Sequence, residues 1–317
     1  MDAVASLLEG TRARGAFALR TVMRPPWSIR ILAESPLTLL AGVRGNAWIL
    51  PDGAEPVQLR PGDIAITRAP EHYNVSGEPS TTPDIFIHPG QECRDVNGKS
   101  LKDKMMHGVR TWGNDPEGKT IFLVGAYEHL SDISDRLVNA LPPVLMVRRT
   151  EWESPLVQLL CDEVVKDEPG QGAVLDRLLD LLLTSVLKAW FARQDEAQPV
   201  WWKSQGDPIV ERALRLIYND PAHAWTIEKL AGESNTSRAS LARRFRDIVG
   251  EPPMAFLKTW RMALAADLLS RPGETVASIA PKVGYESPFA FSTAFKRVRG
   301  VSPQEHRAGA QSTGLNA

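Results

Sequence analysis

Two hydrophobic periods divide this chain. From residue 26 to 147, apolar positions come in short β-branched runs; beyond Ser154 they recur at helical spacing. Residues 37–43, 47–50, 64–67, 84–88 and 120–124 predict strands. Turn chemistry separates them at Pro51-Asp52-Gly53, Pro61-Gly62-Asp63, Asn97-Gly98 and Asn114-Asp115-Pro116. Many short strands punctuated in this way predict an antiparallel barrel or sandwich.

Residues 154–166 place Leu156, Leu159, Leu160 and Val164 on one helical face, with Ser154 as N-cap and Pro155 in the first helical position. After the turn Pro169-Gly170-Gln171-Gly172, residues 173–192 predict a long helix. Its broad apolar face includes Val174, Leu175, Leu178, Leu181, Leu182 and Val186. Such a Leu-rich pair needs a partner surface, either the β-rich part or the same pair from a second subunit. Residues 193–207 (RQDEAQPVWWKSQGD) break the period and predict a linker, in which Trp201 and Trp202 pack on a neighbouring domain.

Everything after Pro208 is helical in pattern. Helices are predicted over 209–219, 227–231 with Thr226 as N-cap, 238–249 with Ser237 as cap and Gly250 as stop, and 253–269. The theme then returns. Thr275 caps 276–283, and Ser287 caps 288–299, closed by Gly300. SRASLARRFRDIVGEPPMAF and SPFAFSTAFKRVRGVSPQEH are the same unit 50 residues apart. Each has a Ser cap, an aromatic eight residues later (Phe245, Phe295) and Gly thirteen residues after the Ser. Pro281 falls inside a supporting helix, where its missing amide predicts a kink.

Charge sharpens this division. The net charge is -1, but from Trp201 onward there are 16 Lys+Arg against 11 Asp+Glu, and before it 21 against 27. A basic C-terminal part fits a polyanion-binding module. Two cysteines exclude a disulfide framework and suit a reducing compartment. The start, MDAVASLLEGTRARG, lacks a signal-peptide layout, and no apolar run approaches the roughly 20 residues that span a bilayer. A cytoplasmic protein without a membrane partner is expected.

The last hundred residues resemble the DNA-binding domain of the AraC/XylS family of regulators, most specifically VASIAPKVGYESPFAFSTAFKRVRGVSPQEHR, with Arg261, Ala265 and Leu269 on the connecting helix. The resemblance implies two helix-turn-helix motifs, each second helix entering a major groove of double-stranded DNA. Arg238, Ser240 and Arg243 are then candidates for base edges, and an Arg there can form bidentate bonds to guanine. Arg244, Arg246, Lys296, Arg297 and Arg299 suit phosphates, which position but do not read. Pro288, Phe289, Ser292 and Thr293 face outward in the second motif and offer shape or methyl contact. The plain alternative for any one basic residue is a solvated helix face.

LRPGDIAITRAPEHYNV resembles the second motif of cupins, with Gly45 before Trp48 matching the glycine of the preceding turn. It implies a cupin sensor domain whose Leu-rich helices serve in dimerisation. Metal-dependent cupins hold their metal with two His and a Glu of a first motif plus a His of the second. The first histidine of this chain is His72, so a non-catalytic domain without a cofactor is expected. His88, Cys93 and His107 are looser zinc candidates, and Cys93 beside Arg94 is a redox candidate, since a nearby cation lowers a thiol pKa. Cys161 reads as a buried small hydrophobe. Strand alternation offers Trp48, His72 and Phe86 as a ligand pocket.

The expected fold is thus α+β and multidomain: a cupin-like β-barrel sensor over 1–150, a helical dimerisation element over 151–192, a linker over 193–207, a double helix-turn-helix over 208–308 and a disordered tail over 309–317. The expected function is a homodimeric transcription regulator under a small-molecule or redox signal, with RNA polymerase as a further partner if it activates. The rivals are a cupin metalloenzyme tethered to DNA and a regulator whose front domain only dimerises.

Overall fold

The computed structural model describes residues 17–127, 138, 141–193, 207–270 and 273–313. They divide into two compact units, one holding the strands and the helices through Arg193, the other running from Asp207 onward.

The front unit is built on two sheets. One has seven strands in the order β10 (Met106–Gly108), β11 (Thr111–Trp112), β1 (Phe17–Met23), β12 (Thr120–Tyr127), β3 (Leu37–Arg44), β6 (Ile64–Arg68) and β13 (Val144–Val147). The other orders β5 (Val57–Leu59), β4 (Ala47–Pro51), β7 (Tyr73–Ser76), β2 (Ser28–Ile31), β8 (Ile85–His88) and β9 (Glu92–Asp95). The expected β-rich class holds, but the strands form two sheets rather than one closed ring, and β1/β11 and β2/β8 pair in parallel. Met23, Leu40 and Phe122 of the first sheet share a core with Ile29, Ile49 and Val75 of the second.

The Pro61-Gly62-Asp63 turn is structural. The buried Asp63 carboxylate accepts from Arg60 N at 3.2 Å, Arg148 Nη1 at 2.8 Å and Arg149 N at 2.9 Å, joining the start of β6 to the end of β13.

The seven-stranded sheet is covered on its second face too, and β3 is buried at six successive positions. Beyond the short α1 (Lys102–Met105), the helices α2 (Leu156–Val164) and α3 (Gln171–Phe191) provide the cover. Leu179 of α3 lies over Gly125 of β12, where a Cβ would come within 2.7 Å of its Cδ2, and Tyr127 Oη donates to Leu179 O at 3.0 Å. Leu175, Leu179, Leu182 and Val186 are therefore core, and the β-rich part is the partner surface of this face. The helix carries a second apolar stripe. Val174 and Leu181 are exposed and Leu178 is half-buried between them. At the start of α2, Pro155 occupies the N-cap, and Ser154 contributes one hydroxyl that accepts from Leu156 N at 3.3 Å.

The second unit comprises α4 (Pro208–Asn219), α5 (Ile227–Glu233), α6 (Arg238–Val249), α7 (Pro253–Leu269), α8 (Val276–Lys282), α9 (Pro288–Arg299) and α10 (Pro303–Thr313). α7 serves two cores. Phe256, Leu257 and Trp260 pack with α4, α5 and α6, while Met262, Ala265, Ala266 and Leu269 pack with α8 and α9.

Three sequence boundaries change. Residues 309–313 continue α10 rather than belonging to a disordered tail. Arg193 is tied to Glu151 and Met146 O of the front unit, and Asp207 is the N-cap of α4, so neither end of the expected linker is free chain. Its middle, with Trp201 and Trp202, lies outside the described residues, as does the N-terminal MDAVASLLEGTRARG stretch. Pro281 stands one residue from the end of α8 and removes a bond from its last turn. α8 and α5 are both seven residues long, so the proline does not shorten the helix.

Candidate nucleic-acid interface

α6 and α9 start and stop by the same devices. Ser237 Oγ accepts from Ser240 N at 3.2 Å, and Ser287 Oγ accepts from Ala290 N at 3.1 Å. Gly250 and Gly300 end α6 and α9 with φ of 88° and 77°, a conformation glycine adopts without strain. Thr226 and Thr275 cap the supporting helices α5 and α8, and Thr275 forms a reciprocal capping box with Ser278.

The copies differ at the turn. Asn235 N donates to Gly232 O and Thr236 N to Ala231 O; in the second motif Gly284 N donates to Pro281 O and Tyr285 N to Ala280 O. These partners are 49 residues apart, whereas the Ser caps are 50 apart. The second turn therefore holds one more residue, Glu286, before α9 begins.

The apolar side of each of these helices is buried, through Leu241 and Phe245 in α6 and through Phe291 and Phe295 in α9. Arg243 and Arg246 are exposed and, among the described residues, make no ion pair. Arg238 and Arg244 differ. Arg238 Nη1 lies 2.6 Å from Glu228 of the supporting helix, and Arg244 Nη1 lies 2.9 Å from Asp207. Arg244 is thus engaged as a tie to the N-terminus of α4. Burial pushes the Asp207 carboxyl up, but Arg244 and the backbone amides of Val210 and Ile209 outweigh it and hold the group below the usual range. Ser240 is half-buried.

On α9 the outward residues are Pro288, Phe289, Thr293, Lys296 and Arg297, with Ser292 and Arg299 half-buried. Phe289 is 82% exposed, unusual for so large an apolar side chain. Ser292 Oγ donates to Pro288 O at 2.8 Å, so its proton is already in use.

Arg261 has a role that its sequence position only hinted at. From α7 its Nε donates to Pro221 O at 2.7 Å and its Nη2 to His223 O at 2.8 Å, and its guanidinium lies 6.0 Å from the Tyr285 ring centre. It therefore joins the loop after α4 to the turn of the second motif. Arg307 of α10 similarly donates to Leu269 O and Glu274 O, closing the far end of α7. Neither cross-chain bond leaves a spacing signal in the sequence.

The front unit contains a cavity of about 600 Å³ between its sheets, lined among others by Leu19, Ile31, Leu40, Val75, Phe122 and Val124. Trp48, His72 and Phe86, the expected pocket, do not line it. Ala47 and Ile49 face the core, and pleating turns Trp48 to the opposite side; likewise Ile87 lines the cavity and Phe86 does not. The expected alternation is thus one residue out of phase with the observed wall.

The zinc and redox candidates also change. Among the described residues, His72, His88, Cys93 and His107 do not gather into a metal-binding group. His107 Nε2 donates to Gly113 O at 2.8 Å. Cys93 is buried with Sγ 4.0 Å from Met105 Sδ, while Arg94 turns to Glu92 and Gly98 O. Burial pushes the Cys93 thiol up to about 11, away from the thiolate form that thiol reactivity uses. Cys161 is half-buried rather than buried.

The cupin family model matches residues 2–192, and a helix-turn-helix domain model matches residues 230–309. A Streptomyces lividans protein described as an AraC-like transcription regulator is 30% identical over 313 residues, 97% of this chain and 98% of its own. The HTH-type transcriptional regulator AlkR of Acinetobacter baylyi is 27% identical, covering 97% and 99% of the two chains. The RCS-specific HTH-type transcriptional activator RclR of Escherichia coli K12 is 32% identical over 307 residues, 97% of each.

Proposed function

The chain belongs to the AraC-like transcription regulators, with a cupin domain ahead of its DNA-binding domain, and on that premise we propose how it reads DNA, pairs with a second copy and takes its signal. α6 supplies the base reading and α9 supplies phosphate grip with apolar contact. The observation that carries this is the pair of unlike surfaces on like helices. Arg243 is an exposed guanidinium on α6 that makes no ion pair among the described residues, whereas α9 presents Pro288 and Phe289 at its start.

Binding selections on randomised operators test this assignment. A bidentate contact contributes about 1–3 kcal/mol of discrimination, so Arg243→Ala is expected to flatten preference at one base position, whereas Lys296→Ala weakens all sequences alike. Each lost phosphate contact should make the log-log salt slope shallower by about 0.9. If Arg243→Ala left every preference intact and Phe289→Ala erased one, the reading helix would be α9.

The stripe of exposed Val174 and Leu181 with half-buried Leu178 between them supports a homodimer in which a second copy of this chain covers α3. Val174→Glu with Leu181→Glu should halve the mass seen by light scattering and leave the melting temperature nearly unchanged. An unaltered dimer mass would move the interface off α3.

The cavity supports control by a small molecule rather than by Cys93, and the regulators among its relatives support a non-catalytic role for the cupin domain. DNA as target places the protein in the cytoplasm, and no described helix is long and apolar enough to cross a membrane. RNA polymerase is a further partner if the protein activates.

A further inference from the structure

The cavity wall is apolar over most of its extent, but its cations are not equivalent. Arg94 is neutralised, with Nη2 2.8 Å from the Glu92 carboxylate and Nη1 2.9 Å from Gly98 O. Lys102 is exposed to water at the start of α1 (Lys102–Met105), where solvent screens its charge. Arg110 is half-buried and lines the cavity, and among the described residues it makes no ion pair. Its guanidinium donates instead to a neutral group, the side-chain oxygen of Gln171.

Gln171 is 4% exposed and opens α3, and its Nε2 donates to Glu163 O in the last turn of α2 at 2.6 Å. One polar chain therefore runs from the cavity through Arg110 and Gln171 to the junction of the two helices.

A cation held by an amide is held weakly compared with what a carboxylate would offer. A carboxylate adds charge–charge attraction that the neutral amide lacks, and a guanidinium matches it with two parallel bonds. The low dielectric of an apolar cavity raises that preference. A volume of about 600 Å³ falls inside the usual range for small-molecule sites, roughly 300–1,000 Å³.

We propose that this cavity binds an amphipathic monoanion, its apolar body between the sheets and its carboxylate on Arg110, and that binding draws Arg110 from Gln171 and loosens the α2–α3 junction. This rests on the reading of the cavity as the signal site and adds the ligand class and the route of coupling. When Arg110 leaves, the buried Gln171 oxygen loses its donor, and an unsatisfied buried acceptor is costly enough to shift the local equilibrium. The ligand therefore interacts differently with the two arrangements, the condition for any ligand-driven change. α3 also carries the exposed stripe assigned to the second copy, so the cavity and the dimer face meet on one helix.

The test uses full-length protein, with decanoate as the anionic probe and 1-decanol as its uncharged counterpart, both below aggregation. Calorimetry should show saturable 1:1 binding of decanoate. Arg110→Gln should weaken decanoate at least tenfold and leave decanol unchanged, with Arg110→Lys recovering part of the loss. Gln171→Leu frees Arg110 from its competitor and should tighten decanoate several-fold; these opposite signs cannot both come from misfolding. Hydrogen exchange at the first turns of α3 should quicken with decanoate and not with decanol. Equal affinity of both probes for wild type and Arg110→Gln would overturn the anionic class while leaving an apolar signal site. Failure of both probes to bind would remove the cavity as signal site and the proposal with it. Tight decanoate binding without faster exchange in α3 would overturn the coupling.

Discussion

Gly284→Val should abolish DNA binding by the full-length protein and lower the melting transition of the C-terminal unit. Gly284 has a φ of +74°, where an L-residue is strained by about 1–2 kcal/mol, and a β-branched side chain by more. A Cβ there would stand 2.6 Å from Arg261 Nη2 and 2.7 Å from Ala222 O, one a guanidinium and the other fixed backbone. Displacing Arg261 forfeits its bonds to Pro221 O and His223 O, each worth about 1.5–3 kcal/mol because the donor is charged. Strain and lost bonds together come to about 4–8 kcal/mol, comparable with a domain's whole stability. Two controls separate the causes. Gly250 has a φ of +88° with nothing within 4 Å of a Cβ, so Gly250→Ala meets the backbone strain alone and should keep binding. Gly284→Asn introduces the residue found at the matching turn position, Asn235, whose φ is 51°. It relaxes the strain but keeps the crowding. A Gly284→Asn protein that melted and bound like wild type would show that Arg261 needs no room there.

Leu182→Glu should unfold the front unit at neutral pH, whereas Leu181→Glu, one residue away, should leave it folded. Leu182 is 0% exposed in α3, and Leu181 is 51% exposed. Burying a leucine contributes about 1.5–3 kcal/mol, and an unpaired carboxylate in its place adds a desolvation penalty of several more. Burial favours the protonated acid and so raises its folded pKa. The protonated form carries no charge penalty, so the loss should shrink as the pH falls toward the unfolded carboxyl value and grow as it rises. Circular dichroism melts of both variants across pH 4–8 would check this; similar melting temperatures for the two would mean that α3 does not pack as described.

The tandem motif was legible because its information is local. Caps, closing glycines and aromatics at helical spacing are decided within one turn of helix, and 253–269 was read to the residue. The front unit was legible in class but not in detail. β1 (Phe17–Met23) begins before the first recognised strand, and its pairing with β12 joins residues about a hundred positions apart, which no window of sequence contains. The pocket was missed for a different reason. A strand period of two makes any face assignment a choice between two phases, and Trp48 and Phe86 drew attention as large aromatics while the smaller Ile31, Val75 and Ile87 form the wall. The broad apolar face that the sequence predicts for α3 splits into two stripes, and only the sheet beneath it shows which one is core. Arg110 carried no signal, since its partner Gln171 lies 61 residues away.

The tie made by Arg261 has a mechanical consequence for the operator. α7 is shared by both cores, and Arg261 braces the loop at one end of the first motif against the turn of the second, so the pair behaves as a stiff mount carrying two heads. A stiff mount cannot absorb a misfit in groove spacing, and the compliance has to come from the duplex. Flexible pyrimidine–purine steps bend more easily than A-tracts, so the same two contacted sites bind differently according to the bases lying between them. Base pairs that no side chain touches thereby become part of the recognition sequence.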